Sequence, residues 1–259
     1  MSEFIKFEVI KGVGVIRLNR PDKYNSFVRE MALDMQKRLS QCAEDKSIRA
    51  VYLTGNGKAF CAGQDLAEAI DPNGPELSKI VSEHYNPIVE QIRNIEMPVI
   101  CGVNGVAAGA GANIALACDI TLAAESASFI QAFSKIGLIP DSGGTYFLPR
   151  IIGMQKASAL MMLGDKVSAM DAEKMGMIYK TVANESLDQD AMAIALKLAH
   201  MPTYGLALTK KALNKSFTND LTSQLKLEDE LQAKAGVSED YEEGVNAFLE
   251  KRKPIFKGQ

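Results

Sequence analysis

One carboxylate stands where proton chemistry would need it: Asp141, in the run Ile136-Gly137-Leu138-Ile139-Pro140-Asp141-Ser142-Gly143-Gly144-Thr145. It follows a proline and precedes small residues that open a new helix. Two readings stand, a helix N-cap or a proton shuttle whose pKa balances desolvation against the helix N-terminus. Two small-residue turns, Cys61-Ala62-Gly63 and Gly109-Ala110-Gly111, follow stretches that read as buried strands. Each can present peptide N–H groups at a helix start, where the first donors lack intrahelical partners and the dipole favours negative charge. Two such groups together could hold a carbonyl oxygen that becomes an oxyanion. Each turn also fits plain close packing of helix on sheet. The glycines fail the GxGxxG spacing, so a dinucleotide site is not indicated. His84 and His200 have no Ser or Cys motif around them, and Cys42, Cys61, Cys101 and Cys118 form no CxxC pair. Neither a nucleophilic triad, a metal site nor a disulfide framework can be read from them.

The elements that must position these groups follow from hydrophobic period. From Phe4 to Leu18 apolar and polar residues alternate around Lys11-Gly12, which predicts an antiparallel hairpin. Phe27, Met31, Met35 and Leu39 recur every fourth residue, predicting an amphipathic helix over Ser26 to Cys42 with Asn25 or Ser26 as its cap. Ala50 to Thr54 reads as a buried strand, and Ala59-Phe60-Cys61 as a short element before a glycine and a helix. Another helix is expected from about Pro75 to Asn94, then a buried strand from Met97 to Val103 that runs into the small-residue segment Asn104 to Asn113. A helix from Ala110 to Cys118, a strand from Asp119 to Ala123 and a segment Ser128 to Gln131 follow. Strands alternating with helices predict α/β architecture. Ser168 and Asp171 form a capping box, Gly176 a helix stop, and almost everything beyond Pro202 reads as helix.

The 259 residues are 47% hydrophobic and 24% charged, within the range of a globular protein large enough for a substantial core. With 29 Lys+Arg against 32 Asp+Glu and no long run of like charge, nucleic acid is not expected as a partner. No signal-peptide block and no stretch of membrane-spanning length is seen, so a cytoplasmic protein without membrane attachment is expected.

The ordered set Ala59-Phe60-Cys61-Ala62-Gly63-Gln64-Asp65, Asn104-Gly105-Val106-Ala107-Ala108-Gly109-Ala110-Gly111, and Ile139-Pro140-Asp141-Ser142-Gly143-Gly144-Thr145 with Leu148-Pro149-Arg150 resembles the crotonase (enoyl-CoA hydratase/isomerase) superfamily. The likeness runs from Leu18-Asn19-Arg20-Pro21 to the C-terminal Lys251-Arg252-Lys253-Pro254-Ile255-Phe256-Lys257. It implies an α/β spiral of ββα units over residues 1–200 holding an acyl-CoA site. A helical region, 201–259, would continue the same domain and build a homotrimer or hexamer. It implies a thioester oxygen held by the N–H groups of Ala62 and Ala110, with alanine at 110 where glycine is usual. Ala62, Gly63, Gln64 and Asp65 would line the CoA arm beside Gly109. Arg20, Lys23 and Lys257 are implied phosphate contacts, the last for a neighbouring subunit, though such residues also read as solvated surface. No cofactor or metal is expected, since CoA belongs to the substrate.

Two departures set the subclass that the resemblance implies. Hydratases of the family carry glutamates that fall at Asn113 and Phe133 here, and neither residue can move a proton as a carboxylate does. Asp141 is then the carboxylate left at an acting position, and one base beside an oxyanion site suits isomerisation. The run from Ala132 to Asp141 is similar to that of ring-epoxide-accepting acyl-CoA isomerases. Phe133 fits an apolar, ring-accepting pocket or plain core filling. Asn113 reads as a pocket residue or an inert neighbour. Alternatives are a Δ3,Δ2-enoyl-CoA isomerase or a hydratase of fatty-acid degradation, and, from another class, a non-catalytic acyl-CoA-binding or assembly subunit.

Overall fold

The alternation between Phe4 and Leu18 becomes a hairpin. Strand β1 (Ile5–Ile10) pairs antiparallel with β2 (Val13–Leu18), Ile5 opposite Leu18 and Ile10 opposite Val13. Lys11 and Gly12, both at positive φ, make the two-residue turn whose twist matches that of the strands. The computed structural model describes residues 3–259.

Helix α1 (Arg29–Glu44) starts three residues later than the periodicity predicts, with neither Asn25 nor Ser26 capping it. The Asn25 side chain is needed elsewhere. Its Oδ1 accepts from the Arg20 N–H at 2.7 Å, while its Nδ2 donates to the carbonyls of Asn56 and Ala59. The helix is capped across the fold, the Arg29 N–H donating to the Glu68 carboxylate at 2.9 Å.

From here two strands and a helical stretch repeat. Strand β3 (Ala50–Gly55) is followed by β4 (Ala59–Cys61), the four-residue helix α2 (Leu66–Ala69), and α3 (Leu77–Lys79). A π-helical stretch, Ile80–Tyr85, joins α3 to α4 (Asn86–Asn94). The long helix expected from Pro75 thus begins at Leu77 and is wound wide in its middle. Pro87 has no N–H to return to the Glu83 carbonyl, which accepts instead from Gln36 Nε2 at 2.7 Å. Next come β5 (Val99–Val103), β6 (Val106–Ala108) and α5 (Ala110–Ala117), then β7 (Ile120–Ala124) and β8 (Ser128–Ile130).

Each repeat gives its first strand to one sheet and its second to another. The larger sheet has the order β1-β2-β3-β5-β7-β10, parallel beyond the hairpin, with Val51 opposite Val99 and Cys101 opposite Thr121. The smaller has the order β4-β6-β8-β9. This is the expected α/β spiral of ββα units. Helices α6 (Gly144–Ile152) and α7 (Met154–Leu163) lead into β9 (Lys166–Ser168), α8 (Ala169–Lys174) and β10 (Lys180–Val182). Ser168 caps α8 as predicted, accepting from the Asp171 N–H. Strands β6, β9 and β10 were not anticipated; three residues are too few for alternation to register. Helix α9 (Leu187–Ala199) packs on the larger sheet, and α10 (Thr203–Ser216), α11 (Leu221–Ala235) and α12 (Glu239–Leu249) complete the chain. Phe27, Tyr52, Phe60 and Phe129 are fully buried in the core. Among the described residues no helix is long and apolar enough to cross a membrane.

Candidate active site

Strands β4 and β6 run parallel with a bulge between Ala59 and Cys61 that sets Cys61 beside Ala107, so the turns at their carboxyl ends are neighbours. The closeness is extreme: a Cβ on Gly63 would lie 3.0 Å from the Ala108 carbonyl and 3.5 Å from the Ala110 nitrogen. Gly63 has φ +92°, and Gly109 has φ +54° with ψ −128°, a combination open to glycine alone. Both glycines therefore shape backbone that delivers peptide groups to one place.

Which peptide groups are free can be followed bond by bond. The Ala62 N–H, expected as an oxyanion donor, donates to the Tyr24 carbonyl at 3.0 Å. It is spoken for, and the sequence reading of Ala62 as a donor is corrected, although Ala62 does line the cavity. The Gly63 N–H faces Cys61 Sγ at 3.4 Å. The next N–H along, that of Gln64, has no acceptor among the described residues, and neither has that of Ala110 at the first position of α5. The Gln64 side chain is fixed at both ends, Oε1 accepting from the Tyr85 hydroxyl at 3.0 Å and Nε2 donating to Glu68 at 2.8 Å.

These turns open into a cavity of about 480 Å³. Ala62, Gly63, Gln64, Asp65, Gly109, Ala110, Phe133 and Asp141 line it, with Leu66, Leu77, Ile80 and Leu138 supplying apolar wall and Lys23 and Lys135 two cations. The Phe133 ring lies 3.6 Å from where a Cβ on Gly109 would stand. An aliphatic or aromatic acyl group fits such walls, and a carbonyl oxygen seated between the two turns could accept from both free N–H groups.

Asp141 does not cap α6, whose cap position is Gly143 and which makes no side-chain cap bond. Its carboxylate accepts from the Ser142 hydroxyl at 2.8 Å. Burial pushes its carboxyl above the ordinary value, against that hydroxyl bond. The other carboxylate on the cavity, Asp65, is already engaged. It accepts from the Ala67 N–H at the start of α2 and pairs with Arg20 at 2.6 Å. Burial pushes its carboxyl up, and the Arg20 and Ala67 bonds more than offset this, leaving it below the ordinary value.

Three residues expected in the site lie outside the cavity lining. Arg20 turns Nη1 to Asp65, the Ser26 carbonyl and the Ser26 hydroxyl. These bonds give it a structural part in joining the Ser26 turn to the start of α2. Lys257 sits on the C-terminal segment, paired with Glu239 at 3.0 Å. Asn113 is fully buried, its amide turned to the Asp141 peptide and to Gln131. Conversely, sequence reasoning passed over Lys135, Tyr85 and Ser142. Lys135 and Ser142 stood inside quoted motifs, and Tyr85 lies outside them, meeting Gln64 only in the folded chain.

Comparison with known proteins agrees with this fold. A family profile described as enoyl-CoA hydratase/isomerase matches residues 8–259. The chain is 50% identical over 262 residues to the 1,2-epoxyphenylacetyl-CoA isomerase of Escherichia coli (strain K12), with all of both chains covered. It is 36% identical over 247 residues to the mitochondrial enoyl-CoA hydratase of Pongo abelii, covering 95% of this chain and 84% of that one. The crystal structure of an enoyl-CoA hydratase from Bacillus anthracis superposes with a TM-score of 0.92 at 34% identity, covering 99% of this chain and 100% of that one. With the ββα spiral in place and the profile spanning nearly its whole length, the chain belongs to the enoyl-CoA hydratase/isomerase family.

Proposed function

We propose that this protein isomerises an acyl-CoA thioester, ring-1,2-epoxyphenylacetyl-CoA, to the seven-membered oxepin thioester. The observation that carries the reading is a carboxylate without an ion pair among the described residues, Asp141, in an apolar cavity that also presents two unpaired peptide N–H groups. The N–H groups of Gln64 and Ala110 hold the thioester oxygen as charge develops on it. Asp141 takes a proton from the carbon beside the thioester and returns it elsewhere on the same skeleton, so the product keeps the formula of the substrate. A carboxyl held above its ordinary value by burial is suited to both halves of that transfer. Hydration asks for more, a base for water and an acid for carbon. Asp65 is held by Arg20, and positions 113 and 133 carry an amide and a ring. The likeness to the E. coli isomerase, and Phe133 on the cavity wall, support the aromatic substrate. Lys23 and Lys135 offer charge to the CoA phosphates.

The α10–α12 region supports assembly into a trimer or hexamer. Leu213, Leu221, Leu225, Phe248 and Leu249 are exposed there, more apolar side chains than a lone surface usually leaves in one region. Sedimentation of the purified protein tests this, a monomer counting against it.

The activity is tested with freshly generated ring-1,2-epoxyphenylacetyl-CoA, a 3-enoyl-CoA and crotonyl-CoA, read by mass spectrometry and ultraviolet absorbance. The expected result is an epoxide-derived product of unchanged mass and no gain of water on crotonyl-CoA. Turnover of the 3-enoyl-CoA without the epoxide would select the aliphatic isomerase instead. Comparable hydration of crotonyl-CoA would overturn the isomerase reading.

A further inference from the structure

Beneath the Asp141 loop lie two buried amides that the reaction does not touch. Asn113, on α5, is fully buried, and Gln131, just after β8, is 2% exposed. The Asn113 Nδ2 donates to the Asp141 carbonyl at 2.9 Å. A carbonyl only accepts, so this contact fixes the orientation of the amide, and Asn113 Oδ1 faces Gln131. Gln131 Nε2 donates to it at 2.8 Å. The same Asp141 carbonyl accepts from the Gly144 N–H at 2.8 Å, and the absence of a side chain at 144 lets the Asn113 amide pack against that loop. Above this anchor the chain is strained: Ser142 is buried at φ +51° while its hydroxyl holds the Asp141 carboxylate.

We propose that Asn113 and Gln131 form a positioning pair that holds the Asp141 peptide and so aims the carboxylate into the cavity. Gln131 acts through Asn113, and neither reaches the substrate. A strained loop ending in the proton-transfer group relaxes unless something over-determines it, and the bonds from Asn113 and Gly144 to one peptide oxygen do so. The cost of burying these amides is visible at Gln131 Oε1, which is buried with no partner. Without Asn113 the loop relaxes, the carboxylate drifts from the reacting carbon, and water reaches it. Misplacement of a catalytic group by a fraction of an ångström lowers turnover more than binding. Greater hydration of Asp141 removes part of the burial that holds its carboxyl up, so the acidic limb of the rate profile moves to lower pH.

The inference rests on the reading of Asp141 as the proton-transfer group, and the experiment separates the two. Wild type, Asn113→Ala, Gln131→Met, the double variant and Asp141→Asn are compared for kcat, KM and the pH dependence of kcat on the isomerised thioester. For Asn113→Ala the expectation is a kcat about tenfold lower, KM within about twofold, and an acidic limb displaced downward. Gln131→Met, which keeps the side-chain volume, gives a smaller loss in the same direction, and the double variant matches Asn113→Ala because Gln131 works through it. Wild-type kcat and pH profile in both single variants, or losses that multiply in the double variant, would overturn the positioning pair. So would a fall in thermal stability with kcat per folded enzyme unchanged. An Asp141→Asn variant as active as wild type would instead sink the proton-transfer reading itself.

Discussion

The resemblance makes Arg20 a phosphate contact and the structure makes it a strut, and the substitution Arg20→Met separates the two. Methionine keeps most of the apolar stem and removes the guanidinium. What is lost is a 2.6 Å ion pair with Asp65 and two 3.1 Å bonds to the Ser26 carbonyl and hydroxyl. Breaking a fully buried pair costs about 3–5 kcal/mol because the partner charge is left uncompensated. Here the side chains of Arg20 and Asp65 are 18% and 12% exposed, so water screens part of that cost. A loss of about 2 kcal/mol follows, which for a chain of this length lowers Tm by about 4–8 °C. The pH dependence carries a sign. Asp65 lies below its ordinary value when folded, so its stabilisation is present above the unfolded pKa and is lost as pH falls through the folded value. The difference between variant and wild type should therefore be full at pH 7 and shrink below about pH 4. Thermal unfolding followed by circular dichroism across that range, alongside KM for the acyl-CoA, is the assay. Unchanged Tm with KM raised tenfold would show Arg20 to be a phosphate contact and refute the reasoning.

Lys23 and Lys135 line the cavity and make no ion pair among the described residues; replacing both by Gln should raise KM about tenfold at low salt, leave kcat in place, and weaken the salt dependence of KM in initial-rate measurements. Asp141→Asn should unfold at a higher temperature than wild type at pH 7. Because burial raises the Asp141 pKa in the folded state, stability is lost as pH rises from the unfolded pKa through the raised folded value, and asparagine is spared that loss. Calorimetry should show the gap closing below pH 4, and a lower Tm for the variant at pH 7 would contradict the assignment. Gly111→Ala places a Cβ 2.7 Å from the Cys61 Cβ, between the two turns, and should cost about 2–3 kcal/mol of stability in denaturant unfolding together with most of the activity.

Long-period features were legible in the chain. The hairpin through Lys11-Gly12 and the alternation of strand and helix depend on residue type and spacing, while the convergence of the two glycine turns with Asp141 was implied by the family resemblance. What was hidden depends on which partner a polar group meets across the fold. The amphipathic period fits both α1 and the three residues before it, and only the bonds of Asn25 to Asn56 and Ala59 show why the helix waits until Arg29. The direction of a peptide N–H is not written in side chains, so Ala62 and Gln64 were indistinguishable until Tyr24 was seen to occupy the first. Arg20 beside a proline reads as exposed, and its partner lies 45 residues away. Asn113 could be read as a missing glutamate, whereas its bonds to Asp141 and Gln131 exist only once α5, β8 and the Asp141 loop have met.

The account turns on Asp141 as the group that carries the proton, and single-turnover conversion of ring-1,2-epoxyphenylacetyl-CoA by wild type and Asp141→Asn tests it most directly. Asparagine preserves the shape and the bond from Ser142, and it cannot take a proton. Substrate binding within about twofold of wild type and a rate lowered by at least about a hundredfold are predicted, in line with the usual contribution of a positioned general base. Conversion by the variant at the wild-type rate would contradict the account and require another group in the cavity to move the proton.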